Sequence, residues 1–451
     1  MSETSSDRRG AIDRLLALGA EVKPGEGTGA LMLAANVFLL LAFYYLLKTV
    51  REALILSEGG AEVKSYAAAG QGLLLLGFIP AYGALASRVN RLKLINWVTL
   101  FFASHLVIFY LLGVAGVHIG VAFFLWIGVF NLVMPAQIWA YANDVYDAER
   151  GKRLFPIVGI GASLGAWAGA ALAGELFDRV GSYPIMLIAA AGLPLTLLLT
   201  QLIERRVRRG RTAAAATAEA PIGKAGGFQL ILSQRYLLFI ALFVLTTNIV
   251  NTLGEYILGK LVVADVSARI ASGAAPAGSE DMLIGAFYGN FFAWVNFLGF
   301  VFQLLLVSRL FKWLGVRGTL FVLPVIAAVT YGTTALMPVL GVITLVKMME
   351  NSTDYSINNT TRHALFLPTS REAKYKAKQA IDAFFWRAGD VLQAGVVFVG
   401  AELLALTTRG FAGVNLALVA VWIVIGIAIA RQHRKITGEE PLPANAAAET
   451  A

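Results

Sequence analysis

IERRVRRGRTAAAATAEAPIGKAGGFQ, residues 203–229, lies between two long apolar parts of a chain of 451 residues. The stretch is rich in Ala, Gly and charged residues, which is the composition of a flexible linker. On each side the sequence holds six apolar runs of about twenty residues, the length that crosses a hydrocarbon layer roughly 30 Å thick. The stretch therefore predicts two six-helix halves joined by a basic segment.

The composition indicates a membrane protein. The chain is 58% hydrophobic and 14% charged, with a mean hydropathy of +0.70, whereas soluble domains carry about 25% charged residues. We therefore predict an all-α membrane protein with twelve transmembrane helices. The predicted helices are residues 29–50, 66–86, 94–113, 117–142, 155–177, 182–203, 236–262, 283–307, 318–338, 341–361, 380–404 and 412–430.

The distribution of basic residues predicts the orientation. With a cytoplasmic N-terminus, the inner segments hold 28 of the 37 Lys and Arg residues and the outer segments hold 5, as the positive-inside rule requires. We expect a multi-pass protein of the bacterial inner (plasma) membrane with both termini cytoplasmic. Because this topology accounts for most of the net charge of +9, no nucleic-acid partner is expected. The predicted segments are a cytoplasmic N-terminal segment 1–28, a half 29–203, a linker 204–235, a half 236–430 and a cytoplasmic tail 431–451.

The two halves resemble each other weakly. NLVMPAQIWAYAND, residues 131–144, aligns with TLVKMMENSTDYSIN, residues 344–358, and similar short loops begin at Ser87 and Ser308. Two six-helix halves related in this way are typical of the major facilitator fold, in which the substrate site lies between the halves near the midplane. A channel or a lipid-modifying enzyme with twelve helices is the alternative.

Polar residues recur at helical spacing on the first, fourth, seventh and tenth predicted helices, which line the cavity in that fold. A charge inside the bilayer costs several kcal/mol, so such residues usually face water or a partner. We therefore predict a central aqueous cavity. Its predicted lining residues are Tyr44, Lys48, Arg51, Glu52, Tyr141, Asp144, Asn251, Glu255, Lys347, Asn351, Asp354, Tyr355 and Asn358. Alternatively, residues near helix ends reach the interface, and Lys48 with Glu255 forms an ion pair that only latches the halves.

Small residues at four-residue spacing mark close helix contacts. The fifth helix carries Gly161, Gly165 and Gly169, and the eighth carries Gly285 and Gly289. Such spacing lets helix backbones approach closely. These glycines are expected to form a packing seam where the halves slide, or to serve ordinary tight packing.

Two segments resemble a known family. WAYANDVYDAERGKRLFPIVGIGASLGA, residues 139–166, is similar to the aromatic-Ala-Asn-acidic stretch and following basic-aromatic-Pro motif of the ATP/ADP translocase (nucleotide transporter) family. LPTSREAKYKAKQAIDAFFWRAGDVLQAG, residues 367–395, resembles the second signature of that family, in which alternating basic residues precede Ala-Ile-Asp. Members exchange ATP for ADP or import nucleotides with protons.

The resemblance implies a set of binding residues. It places Arg51 and Glu52 at a basic-acidic pair that has Lys first in the family, and Asp144 where Glu is frequent. It also implies roles for Asn143, Glu255, Lys376, Lys378 and Asp382. The two departures extend the expected substrates to other phosphorylated anions.

Phosphates suit Arg forks and Lys point charges, which Lys48, Arg51, Lys347, Lys378 and Arg387 would supply. Adenine would stack on aromatic residues such as Tyr44, Trp139 or Tyr355. For Lys376 and Lys378 the alternative is a loop that only follows the positive-inside bias.

The sequence thus predicts a secondary transporter that exchanges nucleotides across a membrane by alternating access. A proton-coupled carrier or flippase for another phosphorylated or anionic substrate is the alternative, and a receptor or assembly protein is a third. The four histidines lack ligand spacing and no Gly-rich phosphate loop occurs, so no metal, cofactor or enzymatic activity is expected. The expected partners are a nucleotide or other phosphorylated small molecule and membrane lipids, with the protein as a monomer.

Overall fold

The computed structural model describes residues 10–16, 21–146, 148–210 and 226–438, and these residues form helices without any strand. The remaining parts of segments 1–28, 204–235 and 431–451 lie outside the described residues. The α-helices are α1 Ala11–Leu16, α2 Gly27–Ala86, α3 Arg91–Val114, α4 Gly120–Val145, α5 Ala148–Val180, α6 Ser182–Gly210, α7 Gly227–Ser233, α8 Arg235–Ala271, α9 Glu280–Leu305, α10 Val307–Thr319, α11 Val322–Leu336, α12 Leu340–Thr353, α13 Asn359–Ala364, α14 Lys378–Ala380, α15 Trp386–Phe398 and α16 Thr408–Ile436.

The prediction of an all-α, multi-span membrane protein is confirmed. In the described part of the chain, eight helices are long and apolar enough to cross a membrane, and α10 with α11, bent by 78°, would make a ninth span. Three spans separate this count from the predicted twelve. The predicted spans 341–361 and 380–404 are interrupted by π turns, and α2 joins two helical segments across a kink at Gly60. Both predicted spans 29–50 and 66–86 lie inside α2.

The loop predicted between these two spans is helical apart from a break at Gly60, whose φ is 73°. Its charged residues suggested a loop, but they have partners within the helical structure. Glu58 accepts hydrogen bonds from the backbone N–H groups of Ile119 and Gly120 at 3.3 and 2.7 Å. It thereby satisfies donors at the first turn of α4 that have no partner inside that helix.

Four π-helical turns interrupt the C-terminal helices. They are Asp354–Asn358, Ala373–Ala377, Ile381–Phe385 and Val399–Leu403. A π turn is rare and occurs mostly as a single turn inside an α-helix, frequently at a functional site. The first of these turns separates α12 from α13 within the polar stretch of the tenth predicted helix.

The described residues form two compact units. The first unit takes its described residues from Met1–Ala67, Leu74–Thr217 and Val263–Phe297. The second takes its described residues from Ala68–Leu73, Ala218–Val262 and Leu298–Ala451.

Aromatic residues fill the core of each unit. In the first unit α3 packs along α6, and Phe123 and Phe130 are fully buried. In the second unit α11 packs against α16 and α12, with Trp422 buried beside Phe243 at 5.4 Å between ring centroids. Each unit thus has its own apolar core.

Glycines allow close packing on two faces of α5. A Cβ at Gly161, Gly165 or Gly169 would overlap the backbone of α2, the last two at the carbonyl oxygens of Phe38 and Ala42. On α9, a Cβ at Gly289 would overlap the backbone of Gly174, and one at Gly285 would overlap the Phe177 ring. All of these contacts lie within the first unit, and the sliding role of these glycines stays a prediction.

The short helix α1 is attached to the start of α2 by a carboxylate. Asp13 accepts hydrogen bonds from the backbone N–H groups of Gly25 and Gly27 at 2.9 and 2.8 Å. These bonds lower the pKa of Asp13 below its ordinary value of 3.8. The contact caps the N-terminus of α2, where an anion is favoured.

Candidate functional site

The first unit holds a buried group of charges on α2, here called the α2 cluster: Lys48, Arg51, Glu52 and Lys64. Glu52 is 1% exposed and pairs with Lys64 at 2.7 Å and with the neighbouring Arg51 guanidinium. Lys48 is 9% exposed, and its Nζ lies 4.1 Å from the centroid of the Phe292 ring. Buried charges are retained where they are paired, so a single carboxylate holds two of the three cations.

Aromatic rings surround the α2 cluster. The Arg51 guanidinium lies 4.7 Å from the centroid of the Phe124 ring. Tyr44 is buried and stacks on Phe130, with ring centroids 6.2 Å apart and an angle of 10° between the rings. A base that stacked on Tyr44 would therefore replace an existing aromatic contact.

The predicted stripe on α4 divides into a buried and an exposed part. Tyr141 is buried and its hydroxyl donates to the Thr200 carbonyl at 3.2 Å. Asn143 and Asp144 are exposed near the end of the helix, and Asp144 pairs with Arg91 at 2.8 Å. Exposed ion pairs contribute little stability, so this pair adds little to the packing of α4.

The second unit holds the Lys347 cluster: Lys347, Glu350, Tyr331, Asn251, Glu255 and Asn351. Lys347 is 1% exposed. Its ammonium donates to Glu350 at 3.0 Å and to the side-chain oxygen of Asn251 at 2.8 Å, and lies 4.0 Å from Glu255. Three helices contribute to the cluster, because Tyr331 of α11 donates to Glu350 at 2.8 Å and Asn351 of α12 donates to Glu255 of α8 at 2.8 Å. One ammonium and two carboxylates thus connect α8, α11 and α12.

The π turn after α12 continues this polar surface. Asn358 donates to Asp354 at 2.7 Å, and both side chains are buried. Tyr355, between them in sequence, is 40% exposed. Among the aromatic residues that the sequence suggested for base stacking, Tyr355 is the most accessible one.

Three basic residues of the second signature, and Arg362 before it, are paired with nearby carboxylates. Lys376 donates to Glu372 at 3.3 Å, and Lys378 and Arg362 donate to Asp382 at 3.0 and 2.8 Å. Farther along, Arg387 donates to Asp390 at 3.2 Å, and the same carboxylate accepts a bond from Asn248 at 2.7 Å. These residues form three separate polar groups inside the second unit, one around each carboxylate.

Several members of these clusters were not predicted from the sequence. Lys64 was assigned to an outer loop, and its twelve-residue spacing from Glu52, about 18 Å in a straight helix, gives no sign of the contact, which exists because α2 turns at Gly60. Glu350 follows Lys347 by three residues, a spacing that places the two on one helix face. No spacing pattern in the sequence indicates Tyr331, because it reaches Glu350 from a separate helix.

Comparisons with known proteins show which family the chain resembles. Residues 287–433 match the family model of the TLC ATP/ADP transporter. The ADP,ATP carrier protein 1 of Chlamydia trachomatis serovar D is 24% identical over 337 residues, which cover 65% of this chain and 61% of that protein. The chain thus matches about three fifths of the length of that curated relative.

Solved transporters share the fold. A bacterial homologue of the iron transporter ferroportin in an inward-facing state has a TM-score of 0.61 at 13% identity, covering 89% of this chain and 98% of that one. The nucleoside transporter NupG has a TM-score of 0.57 at 14% identity with the same coverage. The resemblance read from the sequence is therefore confirmed as a similarity: residues 287–433, which include the second motif, match the TLC ATP/ADP transporter model, and 65% of the chain is similar to an ADP,ATP carrier.

Proposed function

We propose that this protein is a secondary transporter that exchanges nucleotides of the ATP/ADP type across a membrane by alternating access. The observation that carries the proposal is the α2 cluster, in which the buried Lys48 and Lys64 and the half-buried Arg51 lie near Glu52 in a helix apolar enough to span a membrane. Buried cations in membrane helices usually mark substrate or ion pathways. The match to the ATP/ADP transporter family supports a phosphate-bearing substrate.

The cluster suggests how a phosphate binds. A phosphate oxygen accepts from an Arg fork and from Lys in the same way as a carboxylate. We propose that a nucleotide phosphate displaces Glu52 from Arg51 and Lys64 and is bound by these two cations. The empty protein keeps the cations paired with Glu52, and the loaded protein pairs them with substrate.

The finer architecture belongs to the same proposal. We propose twelve spans, with α2 crossing the membrane twice around Gly60, α10 and α11 forming one bent span, and the interrupted helical segments 340–364 and 373–403 forming two more. Both termini are proposed to be cytoplasmic in a bacterial inner membrane, with the protein acting as a monomer and without enzymatic activity.

Counterflow in proteoliposomes tests the transport function. Labelled ATP inside vesicles should leave rapidly when ATP or ADP is added outside and slowly into nucleotide-free buffer. Arg51→Ala should weaken nucleotide binding by about 1–3 kcal/mol, the cost of lost charge-assisted bonds, and Arg51→Lys should recover part of it. Arg409→Ala removes an exposed charge outside both clusters and serves as the matched control.

The proposal fails if no nucleotide drives counterflow by the wild-type protein. Equal nucleotide affinities of the wild type and Arg51→Ala, measured by calorimetry, would remove the α2 cluster from the binding site. In that case the family relationship would describe the fold but not the position of the phosphate.

A proton-coupled carrier is the second candidate, and the Lys347 cluster favours it. Glu350 is 2% exposed, and its Oε2 has no hydrogen-bond partner among the described residues. A buried carboxylate with one unsatisfied oxygen is suited to accept a proton. An imposed proton gradient should then accelerate uptake by the wild type but not by Glu350→Gln, whereas a pure exchanger shows no response to the gradient.

A further inference from the structure

A basic groove lies in the second unit, away from both charge clusters. It has a volume of about 710 Å³ and is bordered by residues that follow the break in α10 and by the last turns of α16. Four of its lining residues are cations, Arg317, Arg431, Arg434 and Lys435, and no carboxylate is among the described residues that line it. The groove therefore presents a concentrated positive charge.

The basic groove continues into an apolar surface. On α16, Ile427 lines the groove one turn before Arg431, and Val421 and Val424 precede it on the same helix face, 52% and 65% exposed. On α11, Val325 and Val329 follow the lining residue Phe321 at four-residue spacing and are 55% and 60% exposed. The two neighbouring helices thus present apolar side chains beside the cations.

The position of the groove corresponds to the membrane interface. α16 is long and apolar enough to span a membrane, and Arg431, Arg434 and Lys435 occupy its last turns. Trp313 of α10, four residues before Arg317, is 68% exposed, and tryptophan is enriched at the level of lipid headgroups. The positive-inside rule assigns this end of α16 to the cytoplasmic leaflet.

We propose that the basic groove binds the headgroup phosphate of an anionic membrane phospholipid, whose acyl chains lie along the exposed valines of α11 and α16. Basic pockets between membrane helices on the cytoplasmic side are suited to anionic headgroups. A nucleotide would gain from the cations but not from the apolar surface, so the combination selects a lipid. The inference does not depend on the transported substrate.

Titration of the full-length, detergent-purified protein with fluorescent phosphatidylglycerol tests the proposal. Arg431→Gln/Arg434→Gln should bind this lipid roughly thirtyfold more weakly, since two basic residues contribute about 1 kcal/mol each near an anionic lipid and about 1.4 kcal/mol corresponds to a factor of ten. Arg431→Lys/Arg434→Lys keeps the charge and should bind nearly as well as the wild type. The matched control Arg88→Gln/Lys93→Gln removes two exposed charges from another predicted cytoplasmic segment and should leave binding unchanged.

Further measurements distinguish the contribution of the apolar surface from that of the cations, and a lipid from a soluble anion. Val424→Gln should weaken phosphatidylglycerol binding without changing any charge, and thermal unfolding in detergent shows which variants remain folded. An equal loss of phosphatidylglycerol affinity in Arg88→Gln/Lys93→Gln would show that the effect comes from general surface charge. Displacement of the probe by inorganic phosphate or ATP would assign the groove to a soluble anion, and equal binding of phosphatidylcholine would show that the cations play no part; each of these results overturns the proposal.

Discussion

Lys347 is a positive charge that is almost fully buried among membrane helices, where Glu350 and Asn251 accept its hydrogen bonds at 3.0 and 2.8 Å. Such a residue stabilises the second unit only while its partners remain in place. Removing one member of a buried ion pair leaves an uncompensated charge, which costs more than the pair itself contributes.

Lys347→Ala should therefore lower the free energy of unfolding by about 3–5 kcal/mol. Replacing both partners by apolar residues, Lys347→Met with Glu350→Leu, should restore most of this loss. Lys376→Ala is the control, because Lys376 and its partner Glu372 are 28% and 27% exposed, and its expected cost is below about 1 kcal/mol. Denaturant unfolding in detergent measures all three, and equal losses in Lys347→Ala and Lys376→Ala would contradict this account of Lys347.

At the scale of the helix, the contact between α5 and α2 depends on glycine. Gly165→Ala should destabilise the first unit by about 1–3 kcal/mol, because the added Cβ overlaps the Phe38 carbonyl oxygen and requires the backbones to separate. Gly159→Ala lies on the same helix with nothing within 4 Å of the added Cβ, so it should be neutral or slightly stabilising. Thermal unfolding distinguishes them. A Gly165→Ala protein as stable as Gly159→Ala would show that this contact is easily adjusted.

The attachment of α1 to α2 should depend on pH. Hydrogen bonds from Gly25 and Gly27 lower the pKa of Asp13, so the folded state favours the carboxylate. The stabilisation is complete above the unfolded value of about 3.8 and is lost as the pH falls through the lower, folded value. Hydrogen exchange of the Gly27 amide should accelerate across this acidic window relative to a core amide of α2. In Asp13→Ala the amide should already exchange rapidly at neutral pH, and a change with pH identical to the wild type would exclude Asp13 as the cause.

At the scale of the whole molecule, the membrane topology is directly testable because the chain contains no cysteine. Ser87→Cys and Ala274→Cys place single thiols at exposed positions in a predicted inner and a predicted outer segment. In intact cells a membrane-impermeant maleimide should label only Ala274→Cys, and permeabilised cells should show both. Labelling of Ser87→Cys from outside would reverse the predicted orientation.

The sequence predicted the helical class because apolar runs long enough to cross a membrane leave little choice of structure. It predicted a loop between residues 50 and 66, where the structure has helix on both sides of a kink at Gly60. Glu52 and Glu58 each have partners there, so the helical segment before Gly60 includes them. Charge alone does not reveal whether a partner is present.

The candidate site was predictable only where its residues lie on one helix. Spacing along one helix placed Lys347 and Asn351 on a polar surface, and both belong to the Lys347 cluster. Contacts between helices carry no such local signal. Tyr331 joins the cluster from α11, and Lys64 joins Glu52 only because α2 turns at Gly60 and brings them together.

The four π turns between residues 354 and 403 have a consequence for chain length. A π turn closes its hydrogen bond over one residue more than an α turn, and one residue corresponds to about 100° of rotation in an α-helix. Loss of a single residue inside Asp354–Asn358 can convert the turn to ordinary α-helix, whereas the same loss within α12 leaves every following side chain out of phase with its neighbours. Insertions and deletions of one residue among related chains are therefore expected at these four turns. At each turn the chain can gain or lose a residue while the helix beyond it keeps its orientation.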